Sequence, residues 1–309
     1  MTENIKARTT RRLYALVLLF ITGVLFGLIM PLTRLATTGG VPFLAFAFWQ
    51  ILGATVCVLA YCALRRRMPR FDRRHLPAYL GMAVAAAMIP PVAFALVAPK
   101  LPVGIVSLTV SLSPVMTLLI ALGLRMERFN LWRLAGIGLG IVGVSLILLP
   151  ETSLPEPGMA VWVVVALAAP IGFGLGNIGA VRLRPADNTA AQFAAGILCV
   201  ASLLLLPLMI GVHGVWAFDG PLDRGQIALL ATMPIMALVW CFLMEIARVA
   251  DAVYLSLFDY LATLAGVVWG IVIFAEHHSP WVWGALALLM VSIWLVTNTS
   301  DAVTHKRGD

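Results

Sequence analysis

Residues 107–148 read SLTVSLSPVMTLLIALGLRMERFNLWRLAGIGLGIVGVSLIL. An uncharged run ends at Leu124, a short polar knot holds Arg125, Glu127, Arg128 and Trp132, and a second apolar run rich in glycine follows. Each run approaches the ~20 apolar residues that an α-helix needs to cross a bilayer. Residues 251–296, DAVYLSLFDYLATLAGVVWGIVIFAEHHSPWVWGALALLMVSIWLV, lay out the same plan, and Glu276 and Trp281 repeat the Glu-x4-Trp spacing of Glu127 and Trp132. Apolar helices in tandem, repeated along the chain, are what these stretches predict.

The rest of the chain agrees. Of its 309 residues, 61% are hydrophobic and 11% charged, with a mean hydropathy of +1.00. A soluble protein is roughly 45–50% apolar and about 25% charged, so too little polar surface exists to cover a water-facing globule. A cytosolic enzyme, a nucleic-acid binder and a disordered chain are thereby excluded. The net charge of +7 does not imply a nucleic-acid partner, because Lys and Arg sit in short loops between apolar windows. Cys57, Cys62, Cys199 and Cys241 fall in or beside those windows, out of reach of disulfides, and no CxxC metal spacing exists.

Reading between charges gives ten spans: 13–33, 41–64, 76–97, 102–124, 131–150, 158–181, 189–212, 225–246, 252–275 and 280–299. The first follows Arg8, Arg11 and Arg12, as a signal peptide would, but it is long, lacks an A-x-A site and precedes nine more spans. It reads as an uncleaved helix. With the N-terminus inside, the cytoplasmic segments hold Lys6, Arg8, Arg11, Arg12, Arg65, Arg66, Arg67, Arg70, Arg73, Arg74, Arg125, Arg128, Arg133, Arg182, Arg184, Arg248, Lys306 and Arg307. The other side keeps Arg34, Lys100 and Arg224. This is the positive-inside bias, and it predicts a multi-pass protein of a bacterial-type inner (plasma) membrane with both termini cytoplasmic.

Shifting the chain by 149 residues aligns span one with six and so on to five with ten. Gly23 meets Gly172, Gly27 meets Gly176, Ser107 meets Ser256, Leu108 meets Leu257, Glu127 meets Glu276 and Trp132 meets Trp281. Five spans is an odd number, so the second half enters the membrane upside down. The predicted fold is an all-α integral membrane protein, ten transmembrane helices as two inverted-topology five-helix repeats, 13–150 and 158–299. Many secondary transporters have this plan, with substrate bound near the midplane between the halves.

Residues 107–148, with a proline-containing fourth helix, terminal Glu and glycine-rich fifth helix, resemble the end of an EamA-type domain, and residues 251–296 repeat it. The whole chain resembles the drug/metabolite transporter superfamily in its ten-helix, two-EamA-domain form, which includes bacterial exporters of amino acids and other metabolites, among them the YddG type. The resemblance implies a transporter, not an enzyme, with no cofactor. Two features depart from the pattern: Thr263 stands where Pro114 stands in the first half, and Phe26-Gly27-Leu28 replaces a Trp-Gly-Ser/Asn-like element.

Several residues are candidates for the substrate site. Asp259 is the one carboxylate well inside a span, where a charge costs about 2.5–3.5 kcal/mol on insertion scales. It could bind a substrate ammonium, carry a proton or brace helix nine. Ser256 and Thr263, at i−3 and i+4, share its stripe. Val110 is its counterpart in helix four, whose stripe is Ser107, Ser111 and Pro114. Asn177, in the run GFGLGN, and Gln50, beside Trp49, each need a partner inside the bilayer. Trp240, which matches Pro91 in the repeat, is placed on a cavity wall. Glu127 and Glu276 are read as helix caps or partners of a nearby Arg, and Glu245 with Arg248 as a pair at the cytoplasmic edge. His277 and His278 lack a third metal ligand.

The leading functional expectation is a secondary transporter of small polar metabolites such as amino acids, most simply an exporter, working by alternating access. Its partners are the small-molecule substrate and the lipid bilayer; proton coupling and homo-oligomerisation are compatible with it. A lipid or lipid-linked-sugar flippase is the alternative on the same scaffold. A membrane enzyme is disfavoured, because HExxH, a nucleophile elbow and paired membrane aspartates are missing.

Overall fold

In hydrocarbon every backbone N–H and C=O must be satisfied within the protein, and apolar runs of this length do so as helices. The structure, a computed structural model, describes residues 2–124, 158–218, 221–249, 252–277 and 279–288, with isolated positions between 132 and 146 and residues 290 and 291. The helices are α1 (Thr2–Thr38), α2 (Phe43–Leu64), α3 (Leu76–Met82), a π-helical segment (Ala83–Met88), α4 (Ile89–Val97), α5 (Val103–Val110), α6 (Ser113–Gly123), α7 (Met159–Ala166), α8 (Ala168–Arg182), α9 (Ala190–His213), α10 (Arg224–Val249) and α11 (Ala252–Phe274). Seven helical stretches among the described residues are long and apolar enough to cross a membrane. The fifth expected span and the end of the tenth lie outside the described residues, apart from isolated helical positions and the helical stretch 280–288.

Local chemistry sets the boundaries. Thr189 opens α9 with a capping box: its hydroxyl accepts the Gln192 N–H at 3.3 Å, and the Gln192 side chain accepts the Thr189 N–H at 2.9 Å. Asp223 and Gln226 do the same for α10, at 2.7 and 3.3 Å. Span three is one stretch, Leu76–Val97, but its ladder widens into a π segment just before Pro90 and Pro91. Neither proline has an N–H to return to the preceding turn. Span four is interrupted at Ser111–Leu112, so that Pro114 lies in the first turn of α6, where a missing N–H leaves no intrahelical bond unmade.

Helices from the two ends of the chain interleave. Helix α1 packs against α10 and α11; α2 packs against α9 and α10; α5 lies on α11 and α6 on α8. The π segment contacts both α8 and α9, with α4 against α8 and α3 against α9. Small residues permit the closest crossings. A methyl at Gly27 would stand 2.6 Å from the Ala265 side chain, one at Gly176 2.7 Å from that of Ala86, and one at Gly174 2.9 Å from the Thr117 N–H nitrogen. Thus Gly27 closes on α11, whereas its aligned partner Gly176 closes on the π segment.

Apolar side chains cover the outside too. Leu203, Val212, Val164, Val268 and Val272 are all exposed, as expected of a surface solvated by lipid rather than water. The four cysteines are free thiols, with Cys62 buried and Cys57 exposed.

Candidate functional site

Spans one, two, three, six and eight enclose a cavity of about 60 Å³, counted as space open to the centre of a water molecule. One water needs roughly 10–15 Å³ on that measure. Its wall is mostly aromatic and aliphatic, including Phe26, Phe46, Phe94, Phe173 and Trp240; Thr33, Gln50 and Asn177 are its polar side chains. No ionisable side chain is among the described lining residues. Edge-on aromatic contacts stiffen one side: Phe26 meets Phe173 at 5.7 Å and Phe258 at 5.1 Å between ring centres.

Two helices contribute matching faces. Ala87, Pro90, Pro91 and Phe94 of span three line the cavity, and so do Met236, Val239, Trp240 and Leu243 of span eight. Both sets follow i, i+3, i+4, i+7, one face of a helix, and the shift of 149 carries each member of the first onto a member of the second.

Gln50 stands apart chemically. It is 1% exposed, lies on the cavity wall, and neither Nε2 nor Oε1 has a hydrogen-bond partner within the protein. A buried polar atom left unpaired costs on the order of 1–3 kcal/mol. The hydroxyl of Thr33, by contrast, is spent on the Ile29 carbonyl at 2.7 Å.

A polar cluster lies behind the wall. Asp259 is 2% exposed, and its carboxyl group lies against the side chains of Ser113 and Asn177. Asn177 Nδ2 also approaches Ser113 Oγ at 3.5 Å and Thr117 Oγ1 at 3.4 Å. Thr263 donates to the Asp259 carbonyl at 2.7 Å and reaches the Ser107 carbonyl at 3.1 Å, tying α11 to α5. Asn177 belongs to both groups, so it is the link between cavity and carboxylate.

The sequence candidates therefore divide. Gln50, Asn177 and Trp240 come together at the cavity. Asp259 and Thr263 join Asn177 in the cluster and do not line the cavity. Ser111 is fully buried, and its hydroxyl donates to the Leu108 carbonyl at 2.7 Å, within the turn that interrupts span four. Ser256 lies in α11, with its side chain outside the described residues. Ser113 and Thr117, absent from the sequence candidates, supply the contacts to Asn177. Their i, i+4 spacing was the available signal, one step out of phase with the stripe through Ser107 and Ser111.

Each end of the bundle carries an ionic cluster. At one, Glu276 accepts from Arg34 and from the N–H groups of Val103 and Gly104, at 2.5, 2.6 and 3.0 Å. These N–H groups open α5 and have no intrahelical partner, so a residue just past α11 caps a helix distant in sequence. Arg34 also stacks 4.6 Å above the Phe274 ring. At the other end, buried His75 sits between Asp72 at 2.6 Å and Asp187 at 3.2 Å, and Arg70 pairs with Asp187 at 3.2 Å. Glu245 and Arg248 form the expected pair, at 2.5 and 2.9 Å. Glu127 and His278 lie outside the described residues.

Comparison with known proteins agrees with this architecture. A solved crystal structure, 18% identical, superposes with a TM-score of 0.66 over 93% of this chain and 98% of its own, which is evidence of fold alone. No curated protein matches the sequence. Residues 13–149, a little under half of this multi-pass membrane protein, match the EamA-like transporter family.

Proposed function

We propose that the chain is a secondary transporter that moves small polar metabolites through the central cavity by alternating access of two five-helix halves, 13–150 and 158–299, set in the membrane in opposite orientations. The observation that carries the reading is the pair of matching cavity faces on spans three and eight. A site on the axis of an inverted repeat is lined twice by the same positions.

The packing supports it as well. The contact of α1 with α10 has its shifted counterpart in that of α8 with α4 and the π segment; that of α1 with α11 has its counterpart in α8 with α6. Proposed orientation follows the charges: the end bearing Arg70, Arg184 and Arg248 is cytoplasmic, and the end bearing Arg34, Lys100 and Glu276 is external. Outward transport is the direction that resemblance to metabolite exporters supports. Within small polar metabolites the uncharged ones fit best. A zwitterion would have both ionic groups desolvated against a wall with no described ionisable side chain, a large penalty.

The test is flux. Purified protein in liposomes loaded with labelled small metabolites should release a subset of them saturably, with and without an imposed proton gradient, and Trp240→Ala should abolish that release. Release of nothing from a broad panel, by protein that is folded and inserted, would remove the transport reading. Orientation is tested separately: cysteines introduced at positions 70 and 224 should label from opposite sides with a membrane-impermeant thiol reagent.

A further inference from the structure

Gln50 is the buried side chain of the cavity whose chemistry is unspent. Both polar atoms of its carboxamide lack a partner in the protein, and the residue is sealed in the cavity wall. The repeat offers no structural reason for it, since the shift of 149 places Cys199 at the matching position of the second half. Trp49 beside it is already engaged, donating from its indole N–H to the Trp216 carbonyl at 3.1 Å.

We propose that Gln50 is the recognition group for an uncharged, planar ligand that presents an N–H and a C=O side by side on one edge: a primary amide, lactam, imide or pyrimidine-like ring. A carboxamide offers one acceptor and one donor on a single edge, and a ligand of this kind satisfies both with two parallel hydrogen bonds. The surrounding wall suits a flat body, with Trp240, Phe46, Phe94 and Phe173 all lining the space, and apolar walls with a few placed polar groups are the usual build of a ligand site. A carboxylate edge would satisfy the donor of Gln50 alone, and an amidinium edge only its acceptor. Each would also bring a charge to a wall without a described counter-ion. Sites built on hydrogen bonds reject ligands that leave their own groups unpaired by large factors. The proposal deepens the transport reading and rests on it for the claim that the ligand is cargo.

The test uses the full chain, purified in detergent and titrated with benzamide, benzoate and benzamidinium, which share one ring and differ in the edge they present. Tryptophan fluorescence is the readout, and loss of the signal in Trp240→Phe places binding in the cavity. Benzamide is expected to bind at least ten-fold more tightly than either ion. Gln50→Leu should weaken it at least ten-fold while the protein melts no lower than before, since an unpaired amide has been removed. Should the Leu variant not fold, Gln50→Glu takes its place, and the preference should pass to benzamidinium. Equal binding of the three, undiminished benzamide binding without Gln50, or no benzamide binding at millimolar concentration overturns the proposal; in the last case water alone satisfies the amide. Liposome flux separates the two readings. Flux of other metabolites without benzamide binding discards the ligand class and keeps the transporter, whereas benzamide binding without any flux keeps the site and discards transport.

Discussion

Spans four and nine, which a shift of 149 residues brings into register, lie against each other, yet they are built differently. Span four is interrupted at Ser111–Leu112, ahead of Pro114, and carries only hydroxyl-bearing polar side chains between Val103 and Gly123. In span nine, α11 runs unbroken from Ala252 to Phe274; Thr263 stands in the place of Pro114, and Asp259 in that of Val110. One member of the pair has given up helical continuity, and the other has taken on a buried carboxylate. Ser107 is the hinge of their contact: its carbonyl accepts from Thr263, and a methyl at Gly266 would fall 2.7 Å from its Cβ. A repeat in sequence therefore provides equivalent positions, and single substitutions such as proline for threonine give them unequal mechanics.

The largest effect should come from making span nine resemble span four. Thr263→Pro removes the N–H that serves the Asp259 carbonyl and drives the ring into that turn, at about 3 kcal/mol or more in a helix interior. It also deletes the hydroxyl bridge to Ser107. Thermal unfolding in detergent should show a drop of that order, with transport lost. A variant that melts like the parent would mean that the two spans are interchangeable and the contrast is empty.

Next is the carboxylate. Asp259→Ala removes the carboxyl group against which Ser113 and Asn177 lie and should destabilise by roughly 1–3 kcal/mol, the cost of leaving buried polar groups unpaired. Asp259→Asn is nearly isosteric, keeps an acceptor and should retain most of that stability. We expect the Asn variant to lose transport nonetheless, because Asn177 couples this cluster to the cavity. Wild-type flux with unchanged pH dependence in a well-folded Asp259→Asn protein would confine Asp259 to bracing α11.

A smaller effect is expected where the ends of the two spans meet. Glu276→Gln leaves one acceptor oxygen where two carboxylate oxygens serve the Val103 and Gly104 N–H groups, and it removes the ion pair with Arg34, whose side chain is 28% exposed. About 1–2 kcal/mol is the expected loss, from one hydrogen bond and a partly exposed pair. Melting curves at low and high salt measure it: the difference between wild type and variant should shrink as salt rises.

What was legible in the sequence follows the same division. The third span, 76–97, is matched residue for residue by Leu76–Val97, because polar residues flank an otherwise apolar run. Pro114 was visible within span four, but the interruption at Ser111–Leu112 was not. Proline belongs in the first turn of the helix it opens, which moves the turn back to Ser111 and resets the helical phase. Ser113 then faces Asn177, and Ser111 bonds its own backbone. Among its apolar members, the cavity wall was legible only at Trp240. Its aliphatic members are the residues that ordinary packing would use, and composition does not distinguish a wall from a core. Gln50 and Asn177 were visible as polar groups in need of partners. That one found Ser113, Thr117 and Asp259 while the other found none depends on the packing of five spans.

The smallest stability effect, and the sharpest test of the comparison, is Pro114→Ala. It lets span four become what span nine is, a continuous helix. Alanine is the best helix former and proline among the worst, but in a first turn the proline has no intrahelical bond to lose, so the change in stability should stay within about 1 kcal/mol of zero. Function should respond out of proportion. If the turn at Ser111–Leu112 allows α5, held by Glu276 and Thr263, to move apart from α6, which lies on α8, then restoring the helix couples the two and slows transport while the cavity still binds ligand. The expected result is a ten-fold or greater fall in flux with ligand affinity unchanged. Equal flux would mean that the two pieces of span four move as one body already, and that the difference between spans four and nine is an accident of sequence rather than a working part.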